Sequence, residues 1–334
     1  MPLATKIYLI SKTKAVSFLI QSGEALLASD VCPLLKLLGL KLAVLRHHYI
    51  PRGFSEDFSK AFLTIVRKIS PRSICVSGTG SLVLKSERDT YYLSASPLSI
   101  LSIRKSYYAW RSIRRTTLKS VVPSHWQEIA LNGQSLWCVE TLYNSCSSDI
   151  GKAREVLVLL WSYGYSSLIP LKDIRKWKET VRFFLCGDSL QKWIVRIEKL
   201  GAETWQLGPR HGDLTDKNIL FRSATPVLID LDRFTWKGIQ IFDLIHFDIE
   251  RSAKSLQTDW FAVAVPSVFR GLIAAWWQDA CLIRHSVQLP IRSADDLCEL
   301  YILERLSLEL RLDTPPPSSW FDKAEKLLFQ AIDS

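Results

Sequence analysis

The stretch Arg210-His-Gly-Asp-Leu-Thr-Asp-Lys-Asn-Ile-Leu-Phe221 decides how the rest of this chain reads, together with Pro226-Val-Leu-Ile-Asp-Leu-Asp-Arg-Phe234 and Ile241-Phe-Asp-Leu-Ile-His246 that follow it. Ile219 to Phe221 and Val227 to Ile229 are brief apolar runs on either side of a polar turn, a pattern that predicts two short strands joined by a tight loop. Such a hairpin sets Asn218, just before the first strand, beside Asp230, at the end of the second. Asp213 lies upstream on the same loop as Asn218.

Mg2+ prefers hard oxygen ligands in near-octahedral order, usually one or two from protein with phosphate oxygens and water completing the set. Asn218 and Asp230 offer one amide and one carboxylate oxygen, which leaves positions open for ATP. Asp213 can then face the metal from the acceptor side, where it would orient and finally deprotonate a substrate hydroxyl. This arrangement resembles the catalytic core of the aminoglycoside phosphotransferase and choline kinase group, relatives of the protein kinases. There a His-Gly-Asp-Leu-x-x-x-Asn-Ile-Leu loop precedes an Ile-Asp-x-(Asp/Glu) strand end, and here both are present as His211 to Leu220 and Ile229 to Asp232. By position, the resemblance implies that Asp213 is the catalytic carboxylate, that His211 braces the loop and that Asn218 and Asp230 hold Mg2+. Asp243 matches, more loosely, an Asp that ties the following helix to the loop. Two motifs at the right separation are far more specific than either alone.

The resemblance further implies an α+β, protein kinase-like two-lobe fold, with a small antiparallel-sheet N-lobe and a mainly helical C-lobe. The domain boundaries it suggests are an accessory region over 1–70, the N-lobe over 71–142 and the C-lobe over 143–334. Ser73 to Val76, Ser81 to Leu84 and Thr90 to Ala95 read as three strands. The turn carrying Gly78, Thr79, Gly80 and Ser81 would lie over the ATP phosphates, where glycines let backbone N–H groups approach oxygens. Asn132-Gly133 between Gln127–Leu131 and Leu136–Leu142 marks another hairpin, and the resemblance puts the backbone of Glu140 to Leu142 against adenine.

One departure stands out. The third strand should carry a Lys for the phosphates, paired with a Glu on the next helix, yet Tyr91-Tyr92-Leu93-Ser94-Ala95 has no Lys and no acidic residue occurs from Thr90 to Gln127. A helix starting near Pro97 carries Arg104, Arg111 and Arg115 on one stripe, with Ile103, Tyr107 and Trp110 on an adjacent side. The stripe reads as a solvated face, as a substitute phosphate contact (a role open to Lys85 as well), or as a contact for an anionic acceptor or membrane surface.

Beyond the hinge, helices are expected over Asp149–Tyr163, Leu171–Leu185, Ser189–Leu200, Asp243–Ser255, Ser267–Ile283, Ala294–Arg311 and Trp320–Ile332. The four helices from Asp243 onward should form the acceptor pocket. Asp248, Glu250, Asp295, Asp296, Glu299 and Glu304 could meet a cationic acceptor, and Trp260, Trp276 and Trp277 could stack on a sugar, although surface and core roles are the ordinary ones for these types. His246 reads as structural.

Composition agrees with an enzyme. The 334 residues are 48% apolar, enough for a sizeable core in two lobes. No apolar run reaches bilayer length and the N-terminus lacks a signal pattern, which predicts a cytoplasmic protein. Seven cysteines without a Cys-x-x-Cys pair read as reduced core thiols. A net charge of +10 suits an anionic ligand, whereas nucleic-acid binding would rest on that charge alone. The expected reaction is Mg2+-dependent transfer of the γ-phosphoryl group of ATP to a small-molecule hydroxyl, with a sugar or glycan intermediate favoured over an aminoglycoside or amino alcohol. The rival from another class is a kinase-like nucleotide-binding scaffold that lost transfer with its Lys and Glu.

Overall fold

The computed structural model describes residues 65, 68–69, 73–76, 82–93, 97–131, 134–143, 150–163, 167–171, 174–284, 293–310 and 318–332. Nearly all of the accessory region 1–70, the loop 78–81 and the Asn132-Gly133 turn lie outside the described residues. The chain divides into two units, Met1–Tyr143 and Asn144–Ser334.

In the first unit five antiparallel strands form one sheet: β1 (Ser73–Val76), β2 (Leu82–Lys85), β3 (Asp89–Leu93), β4 (Trp126–Leu131) and β5 (Gln134–Glu140), in the order β1-β2-β3-β5-β4. Side chains alternate across a strand, so Tyr92, Trp137, Val139 and Trp126 share one face. That face receives α1 (Pro97–Arg114), whose Ile103, Tyr107 and Trp110 recur at helical spacing and pack against those rings. The Trp110 indole N–H donates to the Pro123 carbonyl at 2.7 Å, fixing the connection into β4. Arg104, Arg111 and Arg115 are exposed.

The second unit is mainly helical: α2 (Ile150–Ser162), α3 (Arg175–Phe184), α4 (Gly187–Ala202), α5 (Ile241–Ser255), α6 (Trp260–Val263), α7 (Pro266–Arg284), α8 (Ala294–Glu309) and α9 (Ser318–Ile332). Helix α4 buries Trp193, Ile197 and Leu200, spaced by four and three residues, and the Trp193 N–H donates to the Leu328 carbonyl of α9 at 3.1 Å. Helix α8 is the axis of this unit. The Ser293 hydroxyl caps it by accepting the Asp296 N–H at 3.0 Å, and Leu297 to Leu303 are buried on every side. Trp260 and Trp276 are core residues, Trp276 giving its N–H to Asp248 at 2.8 Å. Among the described residues, no helix is long and apolar enough to cross a membrane.

Two small sheets frame the loop of interest. The expected hairpin is present as β8 (Ile219–Arg222) and β9 (Thr225–Leu228). The second sheet, β10-β7-β6, is built from β6 (Ser167–Pro170), β7 (Thr204–Arg210) and β10 (Thr235–Ile239), none of which the residue pattern predicted. Gly208-Pro209 looks like a turn, yet a bulge between Thr235 and Gly238 absorbs the irregularity and lets β7 run into the loop at Arg210.

Candidate active site

The loop from His211 to Asn218 joins β7 to β8, and its backbone is held from several sides. Asp243, in the first turn of α5, accepts the His211 N–H at 2.6 Å through Oδ2 and the Gly212 N–H at 2.9 Å through Oδ1. Gly212 has φ +85°, and a Cβ there would stand 2.5 Å from the Arg233 carbonyl oxygen, so glycine is required twice over. The His211 ring is buried. Its Nε2 donates to the Ile229 carbonyl at 2.8 Å while Nδ1 accepts the Asp213 N–H at 3.3 Å, which ties the loop to the end of the hairpin.

Asn218 gives its amide nitrogen to the Asp213 carbonyl at 2.8 Å, and its own carbonyl accepts the Ile229 N–H at 3.0 Å. The hairpin thus sets Asn218 across from the residue before Asp230. With the amide nitrogen committed to the loop, the amide oxygen is the atom with which Asn218 could ligate a cation. Asp230 sits at φ 56°, ψ 57°, a left-handed conformation uncommon for a residue with a side chain. Its carboxyl keeps solvent-accessible surface but is crowded by protein. Desolvation, followed by the Asp232 and Asp213 charges, pushes it up to about 7. A carboxylate that resists ionising beside two others is the electrostatic setting a divalent cation relieves.

Asp213 is treated differently. Its Oδ1 accepts from Arg305 Nη1 at 2.9 Å, Arg233 Nη1 at 3.1 Å and His246 Nε2 at 3.2 Å. Burial pushes its carboxyl up, but the His246 hydrogen bond and the Arg305 and Arg233 charges outweigh burial and hold it well below the usual carboxylate range. His246 is neutral: burial and the Arg305 charge push it down to about 3, and its Nδ1 accepts the Tyr301 hydroxyl at 2.8 Å, leaving Nε2–H to donate. Arg305 also reaches Glu309 at 3.2 Å. Behind the loop, Arg210 pairs with Glu304 at 3.2 Å and Asp243 at 3.5 Å, and Lys176 reaches Glu304 at 2.7 Å.

The arrangement therefore juxtaposes a carboxyl held below its usual range and anchored through one oxygen with a second carboxyl raised by desolvation and neighbouring charge, and with an amide. Residue patterns did not reveal Arg233, His246, Tyr301 or Arg305 as part of it. Arg305 carried a signal all the same, because a lone Arg inside the apolar run of α8 implies a buried partner. Conversely, most of the acidic residues considered for a cationic acceptor are engaged internally. Asp296 and Glu299 pair with Arg196, Asp295 with Arg270, Glu304 with Lys176 and Arg210, and Asp248 with Trp276. Glu250 differs: burial raises its carboxyl, and it lies within electrostatic reach of Asp213 and Arg305.

Of the residues expected to contact nucleotide, Gly78, Thr79, Gly80 and Ser81 lie outside the described residues. Lys85 is exposed at the end of β2. Glu140 ends β5 with its carboxylate accepting the Ser124 N–H at 2.7 Å, and Leu142 is buried just beyond it.

The sequence matches no protein-family model and no curated protein. Solved structures of the same fold do exist. Choline kinase LicA from Streptococcus pneumoniae aligns with a TM-score of 0.52 at 12% identity, over 82% of this chain and 99% of that one. The GDP complex of wild-type aminoglycoside 2'-phosphotransferase-IIIa aligns with a TM-score of 0.50 at 14% identity, over 83% of this chain and 97% of that one. A GDP and kanamycin complex aligns equally well, at 0.50 and 14% over 83% of this chain and 98% of that one. With its antiparallel-sheet N-lobe and mainly helical C-lobe, the chain has the protein kinase-like fold shared by aminoglycoside phosphotransferases and choline kinase.

Proposed function

We propose that this chain is a phosphotransferase that moves the γ-phosphoryl group of ATP, with Mg2+, to a hydroxyl of a small molecule. The observation that carries the reading is geometric: Asp213 takes hydrogen bonds from Arg305, Arg233 and His246 through one oxygen, Asn218 is bonded to the Asp213 carbonyl, and the hairpin sets Asp230 beside Asn218. Asp213 presents Oδ2 to the acceptor hydroxyl. So weak a base does not strip the proton in the ground state; it orients the oxygen and takes the proton as the transferring group loosens, as a dissociative phosphoryl transfer requires. Asn218 and Asp230 would hold Mg2+, which on binding supplies charge neutralisation for the phosphates. Gly78, Thr79, Gly80, Ser81, Lys85, Glu140 and Leu142 retain the nucleotide-contacting roles that the resemblance suggests. Two structures of similar fold hold GDP, which supports a nucleotide donor and makes GTP the comparison for ATP.

For the acceptor, the internal pairing of five acidic side chains removes most of what would attract a cation, and this supports a sugar or glycan intermediate over an aminoglycoside or amino alcohol. Glu250, within electrostatic reach of Asp213, is then a carboxyl that could hydrogen-bond acceptor hydroxyls. The test is ADP or GDP release with Mg2+ across a panel of sugars, sugar phosphates, aminoglycosides and amino alcohols, with Asp213→Ala and Asp230→Ala alongside. Acceptor-dependent release abolished by both substitutions is the expected result. Nucleotide binding with no turnover on any acceptor would favour the scaffold reading, and no nucleotide binding would overturn the proposal.

A further inference from the structure

The sheet of the first unit has a second face, opposite the one that receives α1. In the register, Tyr91 pairs with Cys138 and Cys138 with Gln127, while the intervening Tyr92, Trp137, Val139 and Trp126 point at the helix. Asp89 is two residues before Tyr91 and His125 two before Gln127, so alternation brings all of these to the same side. The convergence is tight: one ligating atom each from Asp89, His125 and Cys138 lie within 4.8 Å of one another. His125 Nε2 meets Asp89 Oδ1 at 2.8 Å, and the Tyr91 hydroxyl donates to Asp89 Oδ2 at 3.4 Å. Ser124 Oγ stands 3.3 Å from the other ring nitrogen, His125 Nδ1, where it fixes the ring as an outer partner does at a metal centre. Cys138 is 3% exposed, whereas the side chains of His125 and Asp89 are 45% and 28% exposed, so the cluster is backed by core and open on one side.

We infer that Asp89, His125 and Cys138 form a binding site for a borderline divalent cation of the Zn2+ type, separate from the loop that would hold Mg2+. One thiolate, one imidazole and one carboxylate are a set that Zn2+ accepts in tetrahedral order, with a fourth position left for water or another ligand. Mg2+, which demands oxygen donors, does not. On binding, the Cys138 thiol proton is released to solvent, the His125 ring proton that Asp89 accepts moves from Nε2 to Nδ1, where it donates to Ser124 Oγ, the Sγ–metal and Nε2–metal bonds form, and the ion comes between Asp89 and His125 in place of their direct contact. The ion would clip β3, β5 and the entry to β4 together beside Glu140, which pairs with Asp89 across the strands. It would thereby fix the strand end leading to Thr141, whose N–H already donates to the Arg88 carbonyl at 2.9 Å. The cluster has no part in the phosphotransfer reading, and the inference stands or falls without it.

The experiment is a Co2+ titration of the reduced, chelator-stripped full chain, followed by optical spectroscopy. One Co2+ per chain should bind with a thiolate-to-cobalt charge-transfer band and tetrahedral visible bands, be displaced by Zn2+, and resist excess Mg2+. Cys138→Ser should lose the charge-transfer band while Cys186→Ser, at an exposed cysteine, keeps it. His125→Ala should weaken Co2+ binding by at least the roughly 10–100-fold that loss of an outer partner costs. Zn2+ should raise the thermal midpoint of the native chain and not that of either site variant. Absence of the band in folded native protein, or its persistence in Cys138→Ser, overturns the inference. If Cys138→Ser does not fold, an unchanged Co2+ affinity in His125→Ala overturns it equally.

Discussion

At Asp213 a single oxygen takes three hydrogen bonds, and the energetics of the candidate site turn on that fact. Asp213→Ala should lower kcat by roughly 10²–10⁴-fold, the usual worth of a positioned acid or base, with nucleotide affinity little changed; kinetics beside nucleotide titration check this. Arg305→Ala removes the buried guanidinium that Asp213 and Glu309 share, leaving Asp213 with Arg233 and His246 and Glu309 with the Trp320 N–H, and should cost about 1.5–3 kcal/mol of stability, measured by denaturant unfolding. Arg305→Lys keeps the charge but loses the planar fork, so it should recover most stability yet lower kcat with KM for ATP unchanged. His246 gives a pH prediction. Its folded value is about 3 against 6.5 when unperturbed, so between those values the unfolded chain binds the extra proton. Stability attributable to His246 is therefore full above about 6.5 and falls as pH drops, by up to about 1.4 kcal/mol per pH unit. In His246→Gln that slope should vanish, which thermal midpoints from about pH 6.5 to 4.5 would detect. Asp213, Asn218 and Asp230 were legible in sequence because they share one loop and hairpin. Arg305 and His246 were not, because they reach Asp213 across 92 and 33 residues of chain.

Among the elements, β7 and the loop it feeds set the position of the site. A methyl group at Gly212 would meet both the Arg233 carbonyl at 2.5 Å and the left-handed penalty of roughly 1–2 kcal/mol for a side chain. Gly212→Ala should accordingly abolish turnover and lower the thermal midpoint, whereas Gly271→Ala, inside α7 with open space around it, should leave turnover unchanged and raise the midpoint slightly, as Ala is a better helix former than Gly. Trp193→Ala removes a fully buried ring that links α4 to α9 and should cost about 3–5 kcal/mol in denaturant unfolding. The helices and the β8–β9 hairpin could be read from periodicity because their signals are local: Trp193, Ile197 and Leu200 announce a buried helix face by spacing alone. The β10-β7-β6 sheet could not be read that way. Ser167–Pro170 is only four residues long, Gly208-Pro209 imitates a turn, and the partners of β7 lie far away on both sides in the chain.

For the molecule as a whole, a motif of a few residues pointed to a fold whose solved examples are only 12–14% identical. A core can be any well-packed apolar set of the right volume and pattern, so a fold can be shared at so low an identity. The proposed chemistry predicts that chelation of Mg2+ stops turnover and that its return restores it, which a coupled ADP assay would follow. The net charge of +10 predicts that kcat/KM for the nucleotide declines as ionic strength rises. Asp243 carries one more consequence. Because its carboxylate takes the amide hydrogens of both His211 and Gly212 from inside a buried helical turn, those two protons meet solvent only when the loop parts from the start of α5. In deuterated buffer they should exchange as slowly as the slowest helical amides of α5. A loop by shape, this segment should behave in time as part of the helical core.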